Sequence, residues 1–256
     1  MKKFTAALLA LIFTASASSA AMLYPRNTQF ADMTDKFYAT VDFDYAFDRI
    51  GIAGPGNRTN NTFQIPAVDM RYVLGDNLRV GLNIPLVAAD NDAGPINNSA
   101  FGFGRLGLTT EWGLNDNFAL FINQKFPTGH NPLLGLDAYT FETGAEFQYN
   151  LSDAIRYFGE YGYRFDVPEG TQVLHSLIYN NALVWDTDSW LNPTLELIGT
   201  TTFGTTAFSG TNLRIVPGSV TPFGDEEQYQ FRLGFPIGLN ADSPDFGVQA
   251  GLYMAL

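Results

Sequence analysis

The 256-residue sequence contains no cysteine. That excludes a disulfide framework and a zinc–cysteine site. Without a lipobox cysteine, its N-terminal leader is not of the lipoprotein type. Charge is also scarce: Lys, Arg, Asp and Glu supply 16% of the residues, against roughly 25% in a soluble globular protein. Basic residues are the rarer sign, 14 against 26 acidic. That balance argues against nucleic acid as a partner. No run is long and apolar enough for a membrane-spanning helix, which needs about 20 residues. No amphipathic stretch at helical spacing is long enough to predict a helix either.

What is present is aromatic and glycine-rich, with aromatic residues at 14% and 25 glycines. Little charge beside much Tyr, Phe and Gly fits a β-protein whose outer surface does not face water. Residues 1–20 read as a signal peptide. Lys2 and Lys3 form a positive start, Ala6 to Phe13 a short apolar core, and Ser18-Ser19-Ala20 a cleavage site. Removing them leaves 12 basic against 26 acidic residues, a net charge of −14. Residues 21–35 are expected to form a periplasmic tail, and 36–256 the folded domain.

The folded part alternates with period two. In Phe37-Tyr38-Ala39-Thr40-Val41-Asp42-Phe43-Asp44-Tyr45 every odd position is apolar or aromatic. Similar stretches begin at Leu78, Phe118 and Ile155. Period two predicts strands with one apolar face. Tight turns rich in Asp, Asn and Gly punctuate them near residues 75–77, 115–117, 152–154, 186–189 and 224–226. Longer connections lie between, at 49–61, 88–100, 127–138, 166–172, 204–211 and 239–245. Five short turns and six longer loops join twelve strands. Their predicted spans are 36–48, 62–74, 77–88, 101–114, 117–127, 139–150, 154–165, 173–185, 190–203, 212–223, 227–238 and 245–256. Each is long enough to cross a bilayer at a tilt, which needs about 9–11 residues. Pro66 interrupts strand two, where the apolar parity switches from Phe63 and Ile65 to Val68, Met70, Tyr72 and Leu74; a bulge is expected. Strand ten, with Pro217, Gly218 and Pro222, is the least regular. Losing it with its neighbour would leave ten strands.

An even strand count with short turns on one side and long loops on the other predicts an antiparallel up-and-down transmembrane β-barrel in the bacterial outer membrane. A soluble sandwich alternates too, but it gives no reason for twelve long strands of similar length. It also leaves unexplained the aromatic residues at the strand ends: Tyr72, Trp112, Phe118, Tyr149, Tyr157 and Tyr229 fit an interfacial girdle. In the final strand, alternate positions from Phe246 to Leu256 are apolar. Gln249, Gly251, Met254 and Leu256 resemble the terminal signal read by barrel-assembly machinery, although most such signals end in Phe.

The face opposite the lipid is predicted to carry Asp42, Asp44, Asp69, Glu111, Glu142, Glu146, Glu160 and Glu196. It is also predicted to carry Arg71, Arg79, Arg105, Lys125, Arg156, Arg164, Arg214 and Arg232. Eight acids against eight bases suit a narrow lumen with paired side chains. The whole net charge is then left to turns, loops and tail.

Catalytic patterns are weak. A surface phospholipase barrel spaces its His and Ser as H-x-S, on one face of a strand. Here His175 and Ser176 are adjacent and should face opposite ways. His130 has no nearby Ser. Asp90-Asn91-Asp92-Ala93-Gly94 begins like a calcium loop, but Pro95 follows and no closing Glu is in place. No metal or cofactor is expected, and the chain is not read as an enzyme.

Five short motifs in the second half carry a resemblance. They are Lys125-Phe126-Pro127-Thr128-Gly129, Glu160-Tyr161-Gly162-Tyr163, Asn192-Pro193-Thr194-Leu195-Glu196-Leu197, Val216-Pro217-Gly218 and Leu233-Gly234-Phe235-Pro236-Ile237. In this order they resemble the MetA-pathway phenol-degradation family of outer-membrane transporter-like barrels, over roughly residues 101–256. The resemblance implies passage of small hydrophobic or aromatic compounds. Expected partners are outer-membrane lipid and lipopolysaccharide, the assembly machinery, and a small-molecule substrate. The loops at 88–100 and 127–138 are expected to gate the passage. The alternative is a closed barrel with an adhesive or structural role.

Overall fold

The computed structural model describes residues 37–50, 58–74, 77–92, 97–115, 117–128, 138–168, 173–187, 189–204, 210–223, 229–240 and 243–255. For 38, 40, 42–50, 58–67, 90–92, 97–98, 168 and 255 it describes the backbone alone. The predicted signal peptide, the tail, Pro95, His130 and Leu256 lie outside the described residues.

The described residues form fourteen strand segments. They are β1 (Phe37–Ile50), β2 (Arg58–Leu74), β3 (Leu78–Asp92), β4 (Asn97–Phe103), β5 (Gly107–Asn115), β6 (Phe118–Lys125) and β7 (Ala138–Ser152). The rest are β8 (Ile155–Pro168), β9 (Leu174–Trp185), β10 (Asn192–Phe203), β11 (Gly210–Phe223), β12 (Tyr229–Gly234), β13 (Ile237–Gly238) and β14 (Phe246–Ala255). All pairings are antiparallel, between strands adjacent in the chain or separated only by an interruption, and β1 pairs with β14 to close the sheet.

Two pairs of segments are interrupted strands. β4 and β5 pair with the far and near halves of β3, and β12 and β13 both lie between β11 and β14. The fourteen segments are therefore twelve staves of a closed barrel, the expected fold.

The exterior is apolar. Phe101, Trp112, Leu114, Tyr149, Phe231 and Phe246 are among the most exposed large side chains, with Phe101 at 71%. Most charged side chains of the staves point the other way and are buried. A soluble protein has the reverse arrangement; a barrel solvated by lipid has this one.

Three local features refine the sequence reading. The bulge at Pro66 is present: between Gln64 and Ala67, β2 uses one more residue than either neighbour. Stave four was expected to run unbroken from 101 and instead starts at Asn97, then breaks at Gly104–Leu106. The break reverses parity, so Phe101 and Phe103 face out above it while Arg105 and Gly107 are buried below it. The connection expected at 88–100 is mostly ladder, Ala88↔Phe101 to Asp92↔Asn97, which removes most of that loop as a gate.

Stave eleven breaks at Phe235–Pro236. Strand ten of the sequence reading survives intact as β11, and the break explains how. The Pro217 carbonyl accepts from Phe235 N–H at 3.0 Å. A residue's N–H points the same way as its C=O in such a ladder. The donor that Pro217 lacks would therefore face the interruption, where no regular ladder needs it.

Candidate functional site

The barrel interior holds the candidate site, in two charged tiers. The tier nearer the short turns joins three staves. Arg79 on β3 lies directly opposite Glu111 on β5, and its Nε donates to Glu111 Oε2 at 2.5 Å. Arg71 on β2 donates through Nε to Asp69 Oδ1 at 2.8 Å and through Nη1 to Glu111 Oε1. To reach β5 it must cross β3, and Gly81 makes that possible: a Cβ there would lie 3.0 Å from Arg71 Cγ. Glu111 is wholly buried between the two guanidinium groups. Removing such ions from water costs several kcal/mol each, and charge-assisted hydrogen bonds of this kind offset it. Glu146 lies within electrostatic reach of Arg71.

The second tier lies nearer the long loops. Arg164 on β8 donates to Glu142 Oε2 on β7 at 2.9 Å, and Asn123 on β6 donates to the other Glu142 oxygen at 3.0 Å. Arg105, turned inward by the break in stave four, donates to Thr140 Oγ1 at 2.6 Å. Thr140 in turn donates to Asp166, which lies 3.6 Å from Arg105. The break itself is held by Thr128. Its hydroxyl accepts from Leu106 N–H and donates to Gly104 C=O, each at 2.9 Å, replacing ladder bonds that the interrupted strand lacks.

Phe121 separates the tiers. Its ring rests on Gly144 and Gly162, which face each other across β7 and β8. A Cβ on Gly144 would meet Phe121 Cζ at 2.7 Å and the Tyr161 carbonyl at 2.2 Å. Just toward the short turns, Glu146, Glu160 and Asn180 share one rung across β7, β8 and β9. Asn180 donates to Glu160 Oε1 at 3.3 Å.

The interior of β9 to β14 is different. Ile178, Ala182, Val184, Ile198, Val216 and Val220 are buried there, and Phe158 of β8 packs with Ala182, Val184 and Val220. Charge is reduced to Glu196, Arg232 and Arg214, with Arg232 Nη2 3.5 Å from Glu196 Oε1. Several interior polar atoms make no hydrogen bond among the described residues: Asn123 Oδ1, Asn180 Oδ1, Glu196 Oε2 and Asn212 Nδ2.

Twelve of the sixteen residues predicted for the non-lipid face are buried in the interior: Asp69, Arg71, Arg79, Arg105, Glu111, Glu142, Glu146, Glu160, Arg164, Glu196, Arg214 and Arg232. Lys125 is half-buried at the end of β6. Arg156 belongs to the short-turn mouth, where Nε and Nη2 each donate to Asp186 at 2.5 Å. The backbones of Asp42 and Asp44 pair with Gly251 and Gln249; their side chains lie outside the described residues.

Asp166 was read as part of a loop, yet β8 continues through it and buries it. The even-numbered parity of Arg156, Glu160 and Arg164 was the signal for it. Phe121 had no such signal, because both faces of β6 are apolar in sequence.

His175 and Ser176 do face opposite ways. His175 is exposed, with Tyr163 Oη 2.8 Å from its Nδ1, and Ser176 is buried against Thr202 at 3.0 Å. Asp90 to Asp92, expected to begin a loop, belong to the β3 ladder. In the final strand Gln249 and Gly251 are buried and Met254 is half-exposed.

No protein-family profile matches the chain, and no curated protein does. Solved structures do. An outer membrane channel of the COG4313 group from Pseudomonas putida F1 superposes with a TM-score of 0.68 at 13% identity, over 87% of this chain and 96% of that one. The translocator domain of the autotransporter NalP from Neisseria meningitidis gives 0.60 at 12%, over 96% and 99%. The NanC porin gives 0.52 at 6%, over 85% and 100%. At such identities the likeness is one of fold, that of outer-membrane β-barrels.

Proposed function

We propose that the chain is a bacterial outer-membrane channel for passive passage of small molecules, not an enzyme. The carrying observation is the set of interior polar atoms that make no hydrogen bond among the described residues, on Asn123, Asn180, Glu196 and Asn212. Buried polar groups are normally satisfied, and ionisable groups inside a membrane protein mark solute or ion paths by default. These atoms have capacity left for water or a polar solute. A channel and a porin among the fold relatives support this reading. The solute class, hydrophobic or aromatic compounds, rests on the phenol-degradation resemblance alone. Export by a cleaved signal peptide, recognition of the last strand by assembly machinery, and contact with lipopolysaccharide complete the proposal.

A second reading, a closed structural or adhesive barrel, is favoured by one observation. Arg79, Glu111, Glu146 and Arg232 are at most 1% exposed, so side chains fill the interior at their level. Single-channel recording of refolded protein in a planar bilayer separates the two. Discrete conductance steps, with ion selectivity altered by Glu146→Gln or Arg105→Gln, are expected for the channel. Silence from protein that shows a heat-dependent gel shift would give the closed reading precedence.

A further inference from the structure

The outer wall over β8 to β11 is not the plain apolar surface that lipid requires. Asn181 of β9 lies on the outward parity, between Tyr179 and Leu183. Its Oδ1 accepts from Tyr157 Oη at 2.5 Å and from Tyr161 Oη at 2.7 Å. Its Nδ2 donates to nothing among the described residues. Leu197 is its ladder partner on β10, with the Leu183–Leu195 pair on one side and the Tyr179–Gly199 pair on the other. The amide therefore sits inside the apolar band, where an unmade hydrogen bond is costly. Farther along the same wall, Tyr179 Oη lies 3.4 Å from Thr201 Oγ1, which lies 3.2 Å from Thr211 Oγ1.

Two outward positions are glycines, Gly159 and Gly199, and the rings of Phe147 and Tyr179 lie over them from the neighbouring strand. A Cβ at either would come within 2.3 Å of its ring. Phe147 further stacks on Tyr161 at 5.6 Å, with 5° between the ring planes. Exposed Tyr161, Leu177, Leu195 and Leu197 surround this cluster, as Leu108, Trp112, Leu120 and Ile122 cover the β5–β6 wall.

We propose that the β8–β10 wall docks a second copy of this chain, as a two-fold dimer centred on Asn181. The hydrogen-bonding groups are self-complementary. Each protomer offers the Asn181 Nδ2 donors, and each offers the phenolic lone pairs of Tyr157 and Tyr161, whose hydrogens are already committed. A two-fold axis presents each set to the other, as an isologous interface requires. Polar side chains joining transmembrane elements contribute in this way, and the glycine-backed rings let the two walls approach closely.

The absence of cysteine makes the test clean. Leu197→Cys, beside the axis, should form a disulfide-linked dimer on mild oxidation of native outer membranes. Leu120→Cys, on the β6 wall, should not. Adding Asn181→Leu to Leu197→Cys should lower the linked fraction on the order of fivefold to tenfold, for two symmetry-related hydrogen bonds in lipid. The heat-dependent gel shift of the barrel should be unchanged. Equal linking at positions 197 and 120, no linking at 197, or linking insensitive to Asn181→Leu would each overturn the proposal.

Discussion

The interior of this barrel is filled by two methods on its two arcs. From β2 to β8 the side chains are mostly ionic and meet in tiers, Asp69–Arg71–Glu111–Arg79 and Arg105–Thr140–Asp166 with Glu142–Arg164. From β9 to β14 charge is rare, and aliphatic side chains share the interior with uncharged Ser, Thr, Asn and Gln, with Ile198 against Val216 and Phe158 of β8 against Val184 and Val220. The ionic arc is specific, because each guanidinium must find its carboxylate across one or two staves. The second arc is permissive where it is aliphatic, because packing there depends on volume more than direction. A solute path that must discriminate by charge would run along the first arc, with the uncharged polar and aliphatic groups of the second as its opposite wall.

The comparison can be broken most severely at the glycines of the ionic arc. Gly144→Val should prevent barrel formation, read as loss of the heat-dependent gel shift, since even a Cβ collides with the Tyr161 carbonyl. Glu111→Ala should come next. It leaves Arg71 and Arg79 buried around a missing anion and should cost about 3–5 kcal/mol in a urea unfolding series. Replacing Asp69, Arg71, Arg79 and Glu111 together by uncharged side chains of similar volume should restore most of that stability, while any conductance changes its ion selectivity. Recovery of both stability and unaltered selectivity would remove the tier from the solute path.

On the second arc, Ile198→Val should cost only about 1 kcal/mol by the same measurement and leave selectivity alone. The smallest effect belongs to the mouth. Arg156 and Asp186 are about a third exposed, so Asp186→Asn should cost below about 1 kcal/mol, and added salt should erase the difference.

The staves themselves were legible in sequence because a strand in lipid repeats its apolar face every second residue. The Pro66 bulge could be read from the same parity. The break at Gly104–Leu106 left an equivalent mark, odd-numbered Phe101 and Phe103 giving way to even-numbered Leu106, Leu108 and Trp112, but no proline pointed to it. Which charges lie inside was also a matter of parity. Which partner each one takes was not. Arg71 reaches Glu111 two staves away only because Gly81 lies flat between them, a relation that appears once the sheet is assembled. Thr128 was noticed within a Pro-Thr-Gly motif at the end of strand five. Its work, mending the backbone of a different strand with its hydroxyl, depends on that strand being broken.

The closure of β1 on β14 has a bearing on how the molecule comes to exist. The seam aligns Tyr38 with Ala255 and Phe47 with Phe246, the most distant residues the described sheet brings together. Every other ladder joins strands adjacent in the chain or separated only by an interruption. Hairpins can therefore zip locally and early, whereas the seam must wait for both ends of the sheet and bears the largest loss of chain freedom. Until it forms, both edge strands expose unpaired amides, a state in which sheets recruit neighbours. Assembly is thus a race between one remote pairing and misdirected edge-to-edge association, and its outcome is decided at the seam.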